Sequence, residues 1–291
     1  MSSGEFDVSI AIGGAAGQGI ATPGNILARM FIRRGLHFNA YNAYQSIIRG
    51  GHIFLTVRVS DSEIYSHGDK LDLLVCLNQD TMDRHQVLMG PGTRVIFNGD
   101  TIEPGDDGEG AQCPLPIAEL TDNNRNKLVQ NTVALGAIMH FLRLDFENLE
   151  AILIMQFKRK GQAVVDENVG VARAGFDYAR ENFEAFPNPI PTGPKPLAVW
   201  TGNEALAMGG AAAGVRFYCA YPMSPSTGVL HWMANNARDL GIMVRQVEDE
   251  IGVANMAIGA AHAGCRSMCA TSGGGFALMT EAIGMAGMME I

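Results

Sequence analysis

The chain has 291 residues, with 21 Lys and Arg against 30 Asp and Glu, so that its formal net charge is −9. This acidic balance argues against binding to nucleic acid or to an anionic membrane surface. Hydrophobic residues make up 47% of the sequence and charged residues 18%, which excludes disorder and leaves few charges for the surface of a monomer. The length allows about two domains at roughly 150 residues each, and we expect extensive subunit contact.

The N-terminus lacks the features of a secretory signal, because no basic segment is followed by an apolar one. The longest uncharged stretch, residues 217–237, contains prolines and polar side chains that do not suit a membrane span. The five cysteines form no C-x-x-C motif, and we expect them to be buried and reduced. These features predict a cytoplasmic protein with no metal site of its own.

The first half of the chain is predicted to be an α/β domain. Residues 8–12 predict a short strand that leads into a glycine-rich turn, Gly13–Gly19, and residues 20–34 have helical spacing. Together they predict the opening of a βαβ unit. Further strands are predicted at 52–59, 71–77 and 94–98, and further helices at 127–142, 149–159 and 169–185.

A proline-rich segment follows, with five prolines in residues 187–196. We therefore expect a semi-rigid linker at 188–196, between a domain of residues 1–187 and a second domain of residues 197–291. In the second domain, predicted strands alternate with predicted helices, which indicates a doubly wound α/β fold. The strands are predicted at 197–201, 217–221, 243–247 and 267–270, and the helices at 202–213, 227–240, 250–263 and 276–289.

The end of the chain is almost uncharged. From Ile251 to Ile291 only Arg266, Glu281 and Glu290 carry a charge, so the two helices of this segment are expected to be buried on nearly every face. A domain of about 95 residues cannot cover them alone. The chain also ends where a βαβ pattern would next have a strand. The pattern therefore indicates a domain that is truncated at its C-terminus. Either the polypeptide continues, or a partner completes the domain.

Two segments of the first domain could contact phosphate. The Gly13–Gly19 turn places backbone N–H groups at a helix N-terminus, which suits an anion. Its pattern, G-G-x-x-G-x-G, differs from the dinucleotide fingerprint, and no acidic residue lies between Asp7 and Asp61, so NAD or flavin binding is disfavoured. The second candidate is Arg49, which precedes two glycines and could equally belong to a surface turn.

Three segments of the second domain could carry chemistry. The segment Tyr221–Thr227 follows a strand and opens a helix, so its hydroxyls suit a carboxylate, although Ser226 or Thr227 could simply cap the helix. Glu248-Asp249-Glu250 precedes the uncharged helix, where an acid is either functional or a first-turn residue that favours the helix dipole. The turn Thr271–Gly275 is rich in glycine and permits the close approach of a ligand.

In this order the motifs resemble the 2-oxoacid:ferredoxin oxidoreductases, specifically a chain with a γ-type domain fused ahead of an α-type, thiamine-pyrimidine-binding domain. Gly17-Gln18-Gly19 and Arg49-Gly50-Gly51 carry the resemblance in the first half. The segments Y-P-M-S-P-S-T, E-D-E and A-T-S-G-G-G-F-A-L-M carry it in the second half. The resemblance covers essentially the whole chain.

The resemblance implies oxidative decarboxylation of a 2-oxo acid, with 2-oxoglutarate favoured, to acyl-CoA and CO2. Electrons pass to ferredoxin, and the reaction can be reversible. The cofactor is thiamine diphosphate, whose N1′ atom is hydrogen-bonded by a carboxylate. Glu250 is the candidate for that carboxylate and Glu248 is the runner-up. By the same resemblance Tyr221 and Pro222 contact the cofactor. Ser224 and Thr227 would bind the substrate carboxylate.

The chain lacks the Gly-Asp-Gly motif with a later Asn that holds the diphosphate and Mg²⁺ in thiamine enzymes, and it lacks the cysteine spacing of a cluster. The resemblance therefore implies a β subunit that carries the diphosphate site, Mg²⁺ and a [4Fe-4S] cluster, in a dimer of heterodimers. Gly17, Gln18, Gly19 and Arg49 are assigned to CoA, the co-substrate. The alternative function is a non-catalytic, CoA- or nucleotide-binding assembly subunit in which Glu250 is only structural.

Overall fold

The computed structural model describes residues 6–16, 18–43, 50–104, 110–124 and 126–291. The chain divides into two compact units, of which the first ends at Ala198 and the second is Val199–Ile291. The first unit contains a six-stranded mixed sheet, and the second contains a three-stranded sheet. The prediction of an α/β fold is confirmed.

The described part of the first unit has six strands and six helices. The strands are β1 (Asp7–Ala16), β2 (His37–Ala43), β3 (Gly50–Ser60), β4 (Leu73–Cys76), β5 (Arg94–Asn98) and β6 (Ala111–Leu115). The helices are α1 (Ala21–Arg33), α2 (Gln79–His85), α3 (Ile117–Leu120), α4 (Lys127–Phe141), α5 (Phe146–Phe157) and α6 (Gln162–Asn182).

The strand order of the first sheet is β2-β3-β1-β4-β5-β6. Strands β1, β4, β5 and β6 are parallel, whereas β3 is antiparallel to both of its neighbours, β1 and β2. Strand β2 therefore runs in the same direction as β1, with β3 inserted between them. The predicted βαβ opening is thus present in a split form.

The glycine turn is shorter than predicted, because β1 continues through Ala16. Gly13 and Gly14 pair with Phe54 and Ile53 of β3 and are strand residues rather than turn residues. A Cβ atom at Gly13 would collide with the Thr81 side chain of α2. These glycines therefore allow α2 to approach the strand closely.

The main core of the first unit lies between one face of the sheet and the long helices α1, α4, α5 and α6. Ile10 and Ile12 of β1 pack there with Phe31 of α1 and Phe141 of α4, all 2% exposed or less. A smaller cluster on the other face joins Leu74 to Met82 of α2. Both faces of the sheet are thus covered by the unit's own helices.

The proline-rich segment packs against the first unit. The Arg34 guanidinium donates to the Ile190 carbonyl at 3.1 Å, and the Gly193 N–H donates to the Arg34 carbonyl. Ile190 is 4% exposed and belongs to the main core. The strand predicted at residues 197–201 is wrong: Leu197 donates to the Ile32 carbonyl, and the segment forms no strand.

The second unit has three strands and four helices. The strands are β7 (Phe217–Ala220), β8 (Met243–Gln246) and β9 (Ser267–Cys269). The helices are α7 (Gly202–Ala212), α8 (Thr227–Leu240), α9 (Glu250–His262) and α10 (Gly274–Met289). All strands are parallel in the order β8-β7-β9. Tyr218 packs with α7 and α8 on one face and Cys219 packs with α9 and α10 on the other, which confirms the doubly wound arrangement.

Helices α9 and α10 are not buried on every face within this chain. Phe276, Leu278 and Met288 of α10 are 58%, 51% and 89% exposed, and Ile251 of α9 is 51% exposed. These residues are apolar, and after Glu250 the two neighbouring helices carry only one charged side chain, Glu281. The second unit therefore presents an uncharged surface that its own residues do not cover.

Candidate active site

The candidate active site lies at the carboxyl edge of the second sheet. Because β7, β8 and β9 are parallel, the turns that follow them, 221–226, 247–249 and 270–273, lie at the same edge of the sheet. Ligands of doubly wound folds bind in the crevice outside this edge, where the chain changes from one face of the sheet to the other. All the site residues predicted in the second domain belong to these turns or to the first residues of α8 and α9.

The three acids of the Glu-Asp-Glu triplet have different environments. Glu248 is exposed. Asp249 caps α9, since its Oδ1 atom accepts a hydrogen bond from the Gly252 N–H at 2.7 Å. Glu250 is the first residue of the helix and is only 4% exposed. The cap is provided by Asp249, so helix capping does not account for the burial of Glu250.

Glu250 faces a threonine that sequence analysis did not select. Among the described residues of the second unit, three buried side-chain oxygens have no hydrogen-bond partner: Glu250 Oε1, Thr271 Oγ1 and Tyr218 Oη. A Cβ atom at Gly275 would lie 2.5 Å from Glu250 Oε1 and would also collide with Thr271 Oγ1. The two oxygens therefore lie against the same glycine, whose lack of a side chain allows them to approach its backbone closely.

The buried Glu250 carboxylate suits contact with a polar group of an organic cofactor. A buried carboxylate oxygen without a donor is unfavourable, so the arrangement suits a ligand that brings an N–H group to Glu250. The signal that could have found Thr271 is its position two residues after β9, the strand that follows the Glu-Asp-Glu triplet in the sequence. In a glycine-rich turn, however, a threonine can equally have a purely structural role in the turn.

The turn after β7 is tied to the turn after β9. Ser272 Oγ donates to the Ser224 carbonyl at 2.7 Å, and Asn203 Nδ2 of α7 donates to the Pro225 carbonyl at 2.7 Å. Ser226 is the N-cap residue of α8, but its hydroxyl donates to the Met223 carbonyl and makes no side-chain cap. The capping role considered for Ser226 is therefore absent. The Ser224 backbone is held at the same edge as Thr271.

The predicted substrate and cofactor contacts remain accessible in this turn. Tyr221 is 38% exposed, Ser224 is exposed, and Pro222 and Thr227 are half-buried. Neither the Ser224 hydroxyl nor the Thr227 hydroxyl has a hydrogen-bond partner among the described residues. Both hydroxyls are thus free to donate to a ligand at the mouth of α8.

The phosphate-contact candidates belong to the first unit. The Gln18 side chain folds back so that its Oε1 atom accepts from the Ala15 N–H at 2.7 Å, and its carbonyl accepts from Asn131 of α4. Gly19 has a positive φ of 77°, and α1 begins two residues later without a side-chain cap. Gly17 and Arg49 lie outside the described residues.

A buried histidine pair lies beside this glycine turn. His52 of β3 pairs with Ala15 of β1, and its Nε2 atom lies 3.0 Å from His85 Nε2 at the end of α2. Burial, together with the neighbouring His52, lowers the pKa of His85 to about 4. Burial also lowers the pKa of His52, although the Asp80 carboxylate 3.7 Å from its Nδ1 atom opposes that shift. Both rings are therefore neutral near pH 7.

The described residues contain no group of three or more His, Cys, Asp and Glu side chains that could hold a metal ion. All five cysteines are free, and three of them are buried: Cys76, Cys113 and Cys219. Among the described helices, none combines the length and the apolar composition that a membrane span requires.

Two family models match the chain. The model described as "Pyruvate ferredoxin/flavodoxin oxidoreductase" matches residues 9–178. The model described as "Pyruvate flavodoxin/ferredoxin oxidoreductase, thiamine diP-bdg", a thiamine diphosphate-binding domain, matches residues 208–291. The second match includes every candidate residue of the active site.

Curated relatives match both units. Subunit alpha of the 2-oxoacid:ferredoxin oxidoreductase 2 of Aeropyrum pernix is 27% identical, and the match covers 98% of this chain and 54% of the relative. The 2-oxoglutarate oxidoreductase subunit KorA of Mycobacterium tuberculosis is 29% identical over 81% of this chain and 41% of its own length. The chain therefore spans about half the length of the curated relatives it matches.

Solved structures agree with these relatives. The 2-oxoglutarate:ferredoxin oxidoreductase from Magnetococcus marinus, with 2-oxoglutarate, coenzyme A and succinyl-CoA bound, has a TM-score of 0.84 and 31% identity. The match covers 96% of this chain and 50% of that one. The gamma subunit of a keto/oxoacid ferredoxin oxidoreductase from Geobacter sulfurreducens has a TM-score of 0.51 and 25% identity, over 60% of this chain and 97% of its own.

Proposed function

The chain belongs to the pyruvate ferredoxin/flavodoxin oxidoreductase family, and from this membership we propose that it is part of a thiamine-diphosphate-dependent 2-oxoacid:ferredoxin oxidoreductase. The reaction is the reversible oxidative decarboxylation of a 2-oxo acid to acyl-CoA and CO2, with electrons passing to ferredoxin. The observation that carries the proposal is the buried Glu250 carboxylate, which has an oxygen without a partner among the described residues.

Glu250 would hold the aminopyrimidine ring of the cofactor. When bound, thiamine diphosphate supplies the electron sink that allows the bond between the 2-oxo carbon and the carboxylate to break. Glu250 accepts the hydrogen bond at N1′ and favours the imino tautomer of the ring. Tyr221 and Pro222 shape the wall of the ring pocket, and the Ser224 and Thr227 hydroxyls donate to the substrate carboxylate.

The favoured substrate is 2-oxoglutarate. Two lines support it: the M. tuberculosis relative is a 2-oxoglutarate oxidoreductase subunit, and the M. marinus structure holds 2-oxoglutarate. A further relative, the 2-oxoglutarate synthase subunit KorA of Methanothermobacter thermautotrophicus, is 49% identical over 90 residues, 31% of this chain. These names argue for 2-oxoglutarate over pyruvate.

The uncharged surface of α9 and α10 would bind a β-type subunit that supplies the diphosphate site, Mg²⁺ and a [4Fe-4S] cluster. This surface begins at Glu250, so a subunit seated there would lie next to the ring pocket. Its exposed side chains are large and apolar, as in the interfaces of permanent complexes. The assembly is proposed to be a dimer of heterodimers, with ferredoxin as the external electron acceptor.

The loop before α1 would contact CoA, the co-substrate. The uncapped N-terminus of α1 follows Gln18 and Gly19 and suits a phosphate group. Gly17 and Arg49 are proposed to join this contact. In the assembled enzyme, Arg49→Ala should raise the KM for CoA without changing the KM for the 2-oxo acid, and an unaltered KM for CoA would remove Arg49 from the contact.

The test of the proposed function is Glu250→Gln in the native complex, isolated through a tag on this chain. An amide cannot replace the carboxylate at N1′, so kcat should fall by about 10² to 10⁴. The matched control is Glu248→Gln, two residues away and exposed, which should keep kcat within about threefold. If Glu250→Gln kept full kcat, the proposal would fail and the non-catalytic assembly subunit would be the better reading.

A further inference from the structure

Two oxygens without partners lie beside Gly275, and the proposed function uses only one of them. The Glu250 carboxylate is the acceptor assigned to the ring. Thr271 Oγ1 is also buried and has no partner among the described residues. A hydroxyl can donate, whereas an ionised carboxylate can only accept, so the two side chains are complementary.

The local fold holds the threonine in place. Thr271 lies two residues after β9, and the next residue, Ser272, is bound through its hydroxyl to the Ser224 carbonyl at 2.7 Å. On the other side, α10 begins at Gly274, and the buried Gly275 follows. A Cβ atom at Gly275 would collide with both Thr271 Oγ1 and Glu250 Oε1, so this glycine lets the two side chains lie close together. The turn is therefore anchored on both sides of the hydroxyl.

From this geometry we propose that Thr271 is a positioning residue for Glu250, an inference that rests on the proposed function. The two oxygens make no hydrogen bond with each other in the structure, and when the cofactor binds, the Thr271 hydroxyl donates to Glu250 Oε1, the carboxylate oxygen beside it, and fixes the rotation of that group. The other oxygen is then directed to N1′ of the bound ring. Thr271 acts through Glu250 and makes no contact with the reacting atoms.

The alternative role of Thr271 is packing, and the two roles predict different outcomes. If the hydroxyl positions Glu250, then Thr271→Val, which keeps the shape and removes the donor, leaves the carboxylate free to rotate. Cofactor affinity and kcat should then fall together, while the KM for the 2-oxo acid stays unchanged. If the residue only fills space, Val should replace Thr without loss.

The experiment measures the dissociation constant of thiamine diphosphate by titration of the cofactor-free native complex, alongside kcat and KM. Thr271→Val should weaken cofactor binding by about tenfold or more, in line with the loss of one hydrogen bond to a charged group. Thr271→Ser keeps the hydroxyl and should restore binding to within about threefold of the wild type. Thr271→Ala is a second variant without the donor, should the valine variant fail to assemble.

The matched control is Thr101→Val in the first unit, because Thr101 is exposed and lies in the turn that follows β5, in a different unit from both the candidate site and the α9–α10 surface. It should bind the cofactor as the wild type does. The proposal is overturned if Thr271→Val or Thr271→Ala binds the cofactor normally, or if Thr271→Ser binds as poorly as Thr271→Val. Glu250→Gln, measured in parallel, distinguishes failure of the Thr271 proposal from failure of the proposed function. If only Glu250→Gln lowers kcat, the proposed function stands and the role of Thr271 does not.

Discussion

Two helices of similarly apolar sequence, α4 in the first unit and α10 in the second, are buried to very different extents. Helix α4 buries 11 of its 15 residues, whereas α10 buries only three of 16: Gly275, Met279 and Ala282. Helix α4 is enclosed by α1, α5 and α6 of its own unit. Helix α10 packs against α9 and otherwise leaves its apolar residues exposed.

The first unit covers its own apolar helices, whereas the second unit leaves apolar side chains of α9 and α10 exposed. In the first unit, the helices cover both faces of the sheet, so its apolar residues stabilise the unit itself. In the second unit, α9, which begins with the proposed active-site acid Glu250, and α10 carry the exposed apolar surface. We expect that the first unit is stabilised by its own residues alone. We expect the second unit to gain stability and function when another polypeptide covers α9 and α10.

The largest effect should come from disturbing the contact between α4 and α6. Here Gly136 faces the Ala172 carbonyl and Gly175 faces the Val133 carbonyl so closely that no side chain fits at either glycine. Gly136→Val should destabilise the chain by about 3 kcal/mol, measured as the free energy of unfolding in denaturant. Gly284→Ala on α10 is the contrasting change, because a Cβ there meets nothing within 4 Å. An equal loss of stability in both variants would contradict the comparison.

The second effect concerns assembly rather than folding. Ile283 of α10 is 49% exposed, so Ile283→Glu should leave the free energy of unfolding of this chain within about 0.5 kcal/mol of the wild type. Burial of the new charge in an interface should weaken association with the partner by about 2 kcal/mol, measured by titration or by co-purification. Asn235→Glu adds the same charge to an exposed position of α8 and should not weaken association. If both variants assembled normally, the surface would not be the interface.

The smallest effect is a pH dependence that is confined to the first unit. The pKa of His85 is lowered to about 4, below its usual value near 6.5, so the unfolded chain binds a proton at a higher pH than the folded chain does. This contribution to stability is fully present above about pH 6.5 and is lost as the pH falls towards 4, by about 1 to 2 kcal/mol.

The variant His85→Gln should flatten that part of the stability profile. His262 of the second unit is exposed, so His262→Gln is the control and should leave the slope unchanged. A profile of the wild type that is flat between pH 6.5 and 4 would show that the buried pair does not titrate in this way.

Sequence analysis predicted the long helices and the central strands because apolar spacing and glycine positions are local signals, but it missed the short helices α2 and α3. Strand β2 was missed because its Asn39, Ala40 and Asn42 are poor strand formers, and β6 was missed because it contains Pro114, which only an edge strand tolerates. The strand predicted at 197–201 is absent because Thr201 instead begins α7 with a capping box to Glu204. In each case a pairing or a cap outweighed the propensity of the segment.

The candidate site was predictable only in part. The position of Glu250 at the start of an uncharged helix is visible in the sequence, but its burial, in contrast to the exposed Glu248, depends on how the turns meet. The proposed role of Thr271 depends on its position beside Gly275 and Glu250, in a turn that follows a different strand from the one that precedes Glu250. Such contacts between distant residues leave no periodic signal in one sequence.

The most direct test of the central claim is a structure of the assembled enzyme with thiamine diphosphate bound. The account predicts that the Glu250 carboxylate lies within about 3 Å of N1′ of the aminopyrimidine ring, as a hydrogen bond requires. A ring bound away from Glu250, with N1′ facing another side chain or solvent, would contradict it.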